Sequence, residues 1–200
     1  MKIIITTLLV LVFLSPALSQ SLTEEERSMT VAELENTRDM LEESTSGLSS
    51  AQLNFKSSED SWSIAECVEH LAISENSFGE MIKGALNASP DPSKRAEVKI
   101  TDGDLLAMIR DRSGKVKTSE PFEPSGKFGT YQETLEVFMG LRDTHIALVD
   151  ETEEDLRYRY GQLPFGTIDG LQIILFMSGH TERHIKQIME IKESEGYPLN

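Results

Sequence analysis

The sequence has a single cysteine, Cys67, among its 200 residues. An intramolecular disulfide is therefore excluded, and the fold has to be stabilised by a packed core or by a bound ion. We expect Cys67 to be a small apolar filler of that core.

Basic residues are also scarce. The chain has 19 Lys and Arg against 34 Asp and Glu, which gives a formal net charge of −15 at pH 7. The basic residues are scattered among acidic ones and form no patch in the sequence. Because a surface of this sign repels phosphate backbones, we expect no contact with nucleic acid.

Long apolar runs are absent except at the start of the chain. There, Lys2 precedes an apolar stretch from Ile3 to Leu14 and the small-residue site Ala17-Leu18-Ser19. This layout predicts a signal peptide over residues 1–19 that is cleaved after Ser19, although an uncleaved anchor is the alternative. The stretch is short for a bilayer span, so we predict an exported protein, periplasmic or extracellular, with no stable membrane insertion after cleavage.

The remaining chain, residues 20–200, is long enough for one domain and is predicted to be a single helical domain. Helical periodicity predicts long helices over residues 23–46, 63–88, 130–151 and 168–193, and a short one over 104–112. Capping boxes open the second and third of the long helices. The inward positions that we predict for the third long helix are Leu135, Phe138, Leu141, Leu148 and Val149.

No segment has a convincing strand pattern, and a long irregular connection separates the second and third long helices. These features predict an all-α protein, a four-helix bundle with a long crossover between its second and third main helices. Bundles of this kind hold metal sites between facing helices.

Only four histidines occur in the chain, and two of them, His180 and His184, are four residues apart. In a helix this spacing puts both imidazoles on one face, about 6 Å apart along the axis, where they could share a metal ion. An ordinary solvated pair is the alternative. The zinc-protease motif H-E-x-x-H is excluded because Thr181 occupies the position of its Glu.

A third ligand is available from the second long helix. His70 lies beside the apolar stripe of that helix, where a lone histidine would more often be a core residue. Together with His180 and His184 it would form a facial set of three nitrogens that suits Zn²⁺, Ni²⁺ or Fe²⁺. Three protein ligands leave coordination positions open for water or substrate, as in reactive rather than structural sites.

Two stretches, "DSWSIAECVEHLAISE" and "PFGTIDGLQIILFMSGHTERHIKQIMEIKESEGYP", resemble the signature stretches of the DinB-like superfamily, which includes the DinB and YfiT-type proteins. The intermediate stretch "FMGLRDTHIALVDETEEDLRYRY" resembles the third-helix region of that family, so the likeness covers most of residues 24–198. The resemblance implies an up-down-down-up bundle with a metal site at one end. Its ligands fall on His70, His180 and His184.

The resemblance also implies a class of chemistry. Known activities in and around the family are metal-dependent transfer of low-molecular-weight thiols and a thiol-dependent isomerisation.

Three further residues, Trp62, Arg183 and Gln187, match family positions. Core packing or pairing on the helix surface is the simpler account of each. His145 does not match a ligand position; its helical angle predicts an inward side chain that supports the core or the ligands, with a fourth-ligand role as the alternative.

The sequence therefore predicts a metal-dependent enzyme, hydrolase-like or thiol-transferase-like, that acts on a small-molecule substrate. Export removes the protein from the thiol-rich cytoplasm, which favours hydrolysis. The alternative is a helical bundle that binds a metal or a small ligand without turnover.

Cys67 lies one turn before His70 and could be a ligand by spacing, but a thiolate ligand would close the site. No catalytic base can be assigned from spacing, and a homodimer is compatible with the sequence.

Overall fold

The computed structural model describes residues 21–114 and 116–199. The predicted signal peptide, residues 1–19, lies outside the described residues. The helices and strands, in chain order, are α1 Glu24–Thr45, α2 Ser50–Leu53, α3 Ile64–Asn87, α4 Asp102–Arg110, α5 Tyr131–Glu151, β1 Tyr160–Leu163, β2 Gly166–Asp169 and α6 Gly170–Lys192. Short 3₁₀ turns cover Pro92–Glu97, Glu120–Phe122 and Leu156–Tyr158.

The four long helices begin where side chains can bind their first free backbone amides. Ser63 and Thr130 form the capping boxes that the sequence predicts for α3 and α5, and Thr23 forms another at α1. Such caps satisfy backbone donors that have no partner within the helix. The predicted start of the last helix near Ile168 is wrong by two residues, because Asp169 caps a helix that begins at Gly170.

The expectation of no strand is also wrong for one short segment. β1 and β2 form an antiparallel hairpin, with Tyr160 opposite Asp169 and Leu163 opposite Gly166. Pro164 and Phe165 form the two-residue connection, and Gly166 has φ 139°, a conformation that favours glycine. Strands of four residues are too short to show a clear alternation, so periodicity did not reveal them.

The direction of the helices follows from contacts near their ends. Arg27, early in α1, donates to the carbonyls of residues 149 and 150 at the end of α5, so these two helices are antiparallel. Lys192, the last residue of α6, donates to the carbonyl of Ser44 near the end of α1, so α1 and α6 are parallel.

Gly170, the first residue of α6, packs against Ile82 near the end of α3, so these two helices are antiparallel. With α1 and α6 up, α3 and α5 are down, which is an up-down-down-up bundle. The parallel neighbours α3 and α5 are joined by the crossover of residues 88–130. Among the described residues, α1 packs mainly against α5 and α6, and α3 packs against the same two helices. The diagonal pairs of the bundle are therefore α1 with α3 and α5 with α6, whereas α3 and α5 are neighbours.

Part of the crossover covers the bundle. α4 lies against α6, where a Cβ at Gly179 would come within 3.0 Å of a methyl group of Ile109. This close approach depends on the absence of a side chain at Gly179. None of the described helices combines the length and apolar composition needed to cross a bilayer.

Candidate metal centre

The antiparallel packing of α3 on α6 brings His70 beside His180 and His184. One ring nitrogen from each residue lies within 4.8 Å of the other two, and the ring centroids are 4.6 to 5.0 Å apart. Among the described residues, this is the one group of three or more His, Cys, Asp or Glu side chains that could hold a metal ion. The group contains neither a carboxylate nor a thiol. The structure thus assembles the three predicted ligands, and their binding of an ion stays a prediction.

The separation of two of these nitrogens fits a shared ion. Nε2 of His70 lies 3.2 Å from Nε2 of His180. With metal–nitrogen bonds of about 2.0 to 2.1 Å, two ligands of a tetrahedral ion are roughly 3.4 Å apart and adjacent ligands of an octahedral ion roughly 2.9 Å. The observed distance falls between these values.

His70 is held in the tautomer that a ligand needs. Its Nδ1 lies 2.8 Å from the carbonyl oxygen of Phe122, and since a carbonyl can only accept, Nδ1 carries the proton and Nε2 presents a lone pair. The neighbouring Glu69 fixes the segment that supplies this carbonyl. Its Oε1 accepts from the backbone amides of Ser125 and Lys127, both at 3.0 Å.

His184 has a buried nitrogen without a well-formed hydrogen bond. Its Nδ1 is inaccessible to solvent and makes no hydrogen bond of good geometry, although the side chain of Gln187 is close enough to the ring to favour its protonated form. A buried ring nitrogen without a well-formed hydrogen bond costs free energy, and a metal ion can compensate that cost. The environment of His184 is therefore compatible with a divalent ion at this group.

Burial lowers the pKa of all three imidazoles. The pKa of His180 falls to about 3, mainly because the ring is buried and to a smaller extent because His70 lies beside it. Burial and the neighbouring His180 hold the pKa of His184 well below 6.5, and burial also lowers the pKa of His70. His180 keeps part of its surface exposed, but its Nε2 faces His70. The three rings are consequently neutral at pH 7 and need not lose a proton before binding a cation.

Aromatic rings surround the three histidines. Trp62, the only tryptophan in the chain, has its ring centroid 4.8 Å from that of His70 and 6.1 Å from that of His184. Phe78 and Phe176 each lie 6.1 Å from the ring of His180. Two surface cavities of the described residues, of about 540 and 260 Å³, are lined by other residues and include none of the histidines.

His145 lies elsewhere in the core, in an ion-pair network. Its Nδ1 is 2.8 Å from Oε1 of Glu75, and both oxygens of Glu75 accept from Arg142 at 2.8 and 2.9 Å. Burial raises the pKa of Glu75, but the charge of Arg142 and the hydrogen bonds from Arg142 and His145 outweigh it and lower the pKa to about 2. His145 is therefore inward, as predicted, and outside the group of candidate ligands.

Cys67 is fully buried in the core beside Leu71, and burial raises the pKa of its thiol to about 12. A thiol with that pKa is protonated at neutral pH and is a poor ligand and nucleophile. Its place in the core agrees with the filler role expected from the sequence.

Arg183 and Gln187 hold the segment after α4 against α6. Arg183 donates to the carbonyls of Asp111 and Gly114, and the side chain of Gln187 accepts from Arg112 at 3.3 Å. Pairing on the helix surface, the simpler account, therefore describes Arg183. The side chain of Gln187 also interacts with His184, and Trp62 lies against two candidate ligands.

Sequence reasoning missed Glu75, Arg142 and Glu69. Glu75 is one turn after Leu71 on α3, and Arg142 is one turn after Phe138 on α5, so both follow inward positions at helical spacing. That spacing was the available signal, but charged residues are rarely assigned to a core.

Comparison with known proteins agrees with this architecture. The family model described as DinB superfamily matches residues 33–188. The Bacillus subtilis (strain 168) protein YuaE, which is described as uncharacterised, is 29% identical over 148 residues, covering 74% of this chain and 87% of YuaE. The structure of YfiT from Bacillus subtilis is similar, with a TM-score of 0.59 and 18% identity over 90% of this chain and 93% of YfiT. YfiT is described as a probable metal-dependent hydrolase with an unusual four-helix bundle topology.

Proposed function

The chain belongs to the DinB superfamily, and on that premise we propose that it is an exported metal-dependent hydrolase of a small-molecule substrate. His70, His180 and His184 hold the divalent ion in this proposal. Zn²⁺, Ni²⁺ and Fe²⁺ all suit three imidazole nitrogens. The description of YfiT as a probable metal-dependent hydrolase supports the same reaction class.

One observation carries the proposal: three neutral imidazoles meet without a carboxylate, and one of them has a buried nitrogen without a well-formed hydrogen bond. A bound divalent ion supplies Lewis acidity, which activates water or a thiol for attack at neutral pH. Because the group offers three ligands, coordination positions remain for the reacting molecules.

The protein's own residues orient the ligands and limit access of water. The carbonyl of Phe122 keeps the proton of His70 on Nδ1, so Nε2 stays directed at the other two rings. Trp62 and Phe78 cover His70 and His180 with apolar surface, which strengthens electrostatic interactions at the centre.

The carboxylates close in sequence to the histidines have other partners. Glu69 accepts from the crossover segment, Glu75 is paired with Arg142, and Glu182 is paired with Arg110 and Lys186. We therefore assign no general base to the chain.

Two other functions use the same centre. Thiol transfer would use a low-molecular-weight thiol in place of water, and a non-catalytic metal-binding protein would hold the ion without turnover. We favour hydrolysis because the signal-like pattern of residues 1–19 predicts export, and low-molecular-weight thiols are abundant in the cytoplasm that an exported protein leaves. Export itself is part of the proposal, and it is checked by the intact mass of the protein from its native host, which should correspond to a chain that starts at Gln20.

The test of function uses mature protein purified without a histidine tag, since a tag binds metals itself. Elemental analysis should find close to one equivalent of a divalent metal. The metal-loaded protein should hydrolyse members of a panel of nitrophenyl esters and phosphoesters, and chelation or His184→Ala should abolish turnover. A rate that appears only on adding a thiol would indicate transfer instead. One equivalent of metal without any turnover would identify a metal-binding protein that is not an enzyme. Absence of bound metal after loading would reject the proposal.

A further inference from the structure

A row of aromatic rings leads from the protein surface to the histidine group. Phe165, in the connection between β1 and β2, is stacked on Phe176 with 6.1 Å between ring centroids and 17° between ring planes. Phe176 is stacked on His180 with the same two values. We call Phe165, Phe176 and His180 the ring row.

The ring row is accessible along its length. Phe165 is 44% exposed, and Phe176 and His180, one helical turn apart on α6, are half-buried. Phe78 lies beside the inner two rings, with its centroid 4.8 Å from that of Phe176 and 6.1 Å from that of His180. The row is therefore an apolar wall that begins in solvent and ends at a candidate ligand.

The rings of the row are offset rather than fully overlapped. Two rings in full face-to-face contact would have centroids closer than 6.1 Å, so each ring leaves part of its face uncovered by the next. Core packing accounts for the buried Phe78, but it does not account for an exposed phenylalanine aligned with the row.

We propose that the ring row binds a flat, uncharged aromatic group of the substrate, whose adjoining polar group lies at the three histidines. The inference rests on the proposed function, because the ion fixes the polar end of the substrate. Aromatic faces also attract cations, but a divalent ion at the end of the row would repel a second positive charge. The acyl or leaving group next to the bond that is cleaved is therefore aryl rather than alkyl or cationic.

The experiment measures binding rather than turnover. Hydroxamic acids chelate divalent metals, so three of them are titrated into the Zn²⁺-loaded protein by calorimetry: acetohydroxamic acid, 4-cyclohexylbenzohydroxamic acid (the cyclohexane compound) and 4-phenylbenzohydroxamic acid (the benzo compound). The second ring of the two larger compounds extends past Phe176 towards Phe165. The benzo compound should bind about 10-fold more tightly than the aceto compound, with the non-planar cyclohexane compound between them. Phe165→Ala should weaken binding of the benzo compound about 3- to 10-fold and leave acetohydroxamate and Zn²⁺ affinity unchanged.

Two further variants serve as controls. Phe165→Leu keeps an apolar side chain but removes the flat ring, so it should lose part of the preference; it also carries the test if the alanine variant is unstable. Met29→Ala removes another exposed apolar side chain, 65% exposed on α1, and should change nothing.

Failure of this inference can be distinguished from failure of the proposed function. If the loaded protein binds the aceto and benzo compounds equally, or if Phe165→Ala keeps the preference, the ring row is not the subsite and the metal centre stands. If Zn²⁺ binds but no hydroxamate does, the centre is closed and the hydrolase proposal fails with it. If Zn²⁺ does not bind, both are overturned.

Discussion

Two groups of buried polar side chains in the bundle core include histidine. In one group, His145 and Arg142 share the carboxylate of Glu75. In the other, His70, His180 and His184 meet with no acidic partner. Histidine in the first group is a component of a balanced ion-pair network, whereas the second group has nitrogen lone pairs and no counter-charge within it.

The two groups are adjacent along α6 and are coupled. Arg142 donates to Thr181 Oγ1 at 2.8 Å, and Thr181 directly follows His180. Arg142 also donates to the carbonyl of Leu34 and to Thr37, so it joins α1, α3, α5 and α6. The ion-pair network thus fixes the helices that present the three histidines, and the absence of a carboxylate leaves those histidines available to an ion.

The largest effect should come from breaking the ion-pair network. Arg142→Met leaves the buried carboxylate of Glu75 without its main partner and should lower the free energy of unfolding by about 3 to 5 kcal/mol. Urea denaturation of the metal-free protein measures this. Arg38→Met is the matched control, because Arg38 forms a partly exposed pair with Asp143 and should cost no more than about 1 kcal/mol.

A double variant sharpens that result. Adding Glu75→Leu to Arg142→Met removes the unpaired charge and should recover part of the lost stability. Equal costs for Arg142→Met and Arg38→Met would show that the network does not hold the bundle together.

The next largest effect concerns the affinity for metal. His180→Ala and His184→Ala each remove one of three ligands and should weaken Zn²⁺ or Ni²⁺ binding by more than the ~10- to 100-fold that is typical of residues around a ligand. His70→Ala should behave in the same way. His145→Ala should lower stability and change metal affinity far less, because it removes a partner of Glu75.

A competition titration of the four single histidine variants measures these affinities, and the fluorescence of Trp62 should report occupancy because its ring lies against His70 and His184. Loss of metal on His145→Ala that equals the loss on His184→Ala would mean a four-histidine site. Unchanged binding in all four variants would identify His180 and His184 as an ordinary pair.

The pH dependence of stability should separate the two groups. The pKa of His180 is about 3 in the folded protein against an ordinary 6.5, so below pH 6.5 the unfolded chain binds protons that the folded one does not. Stability of the metal-free protein should therefore fall as the pH drops from about 6.5 towards 3. The pKa of Glu75 is about 2 against an ordinary 4.5, so its contribution is complete above pH 4.5 and is lost between 4.5 and 2.

Urea midpoints at pH 7, 5.5 and 4.5, with a chelator present, test the upper part of this range. The decrease should be smaller in His180→Ala than in the wild type. A wild-type midpoint that stays constant from pH 7 to 4.5 would contradict the assignment of neutral imidazoles.

The smallest effect is expected from weakening the contacts that hold His70 in place, and it is measured as a loss of metal affinity. Glu69→Gln weakens the bonds from the amides of Ser125 and Lys127, so the segment that contains Phe122 should hold His70 less firmly. We expect about a 10-fold loss of metal affinity with little change in stability. Glu120→Gln makes the same charge change at an exposed position of that segment and should have no effect; a similar loss in both variants would indicate an effect of charge alone.

Helical periodicity predicted the four long helices, and the starts of α3 and α5 were predicted well because each begins with a local signal that needs no tertiary context. The capping box of Ser63 with Glu66, for example, is visible from spacing alone. The inward face of α5 was predicted less well. Leu135 and Leu148 are only partly buried, whereas Arg142 is fully buried, because its charge is compensated by a residue on another helix that the sequence of α5 does not show.

For the candidate site, the three histidines could be selected from helical spacing and family resemblance, and the structure brings them together. The supporting contacts could not be selected. Phe122 contributes a backbone carbonyl, which any residue has, and Glu69 binds backbone amides of the crossover. Phe165 lies in a hairpin that periodicity did not detect, and its connection Pro164-Phe165 is not one of the usual two-residue hairpin turns.

The diagonal placement of α1 and α3, and of α5 and α6, has a consequence for how the molecule is made. An up-and-down bundle can form from hairpins of neighbouring helices, but here each helix packs mainly against partners that are distant in the chain. Folding should therefore be slow for an all-helical protein, since long loops must close before contacts form. His70 and His180 are 110 residues apart in the chain, and α6 follows the other three long helices. In the proposed function, an ion is therefore held by all three histidines only after α6 has been synthesised and has docked, so the ion cannot nucleate the folding of the earlier helices.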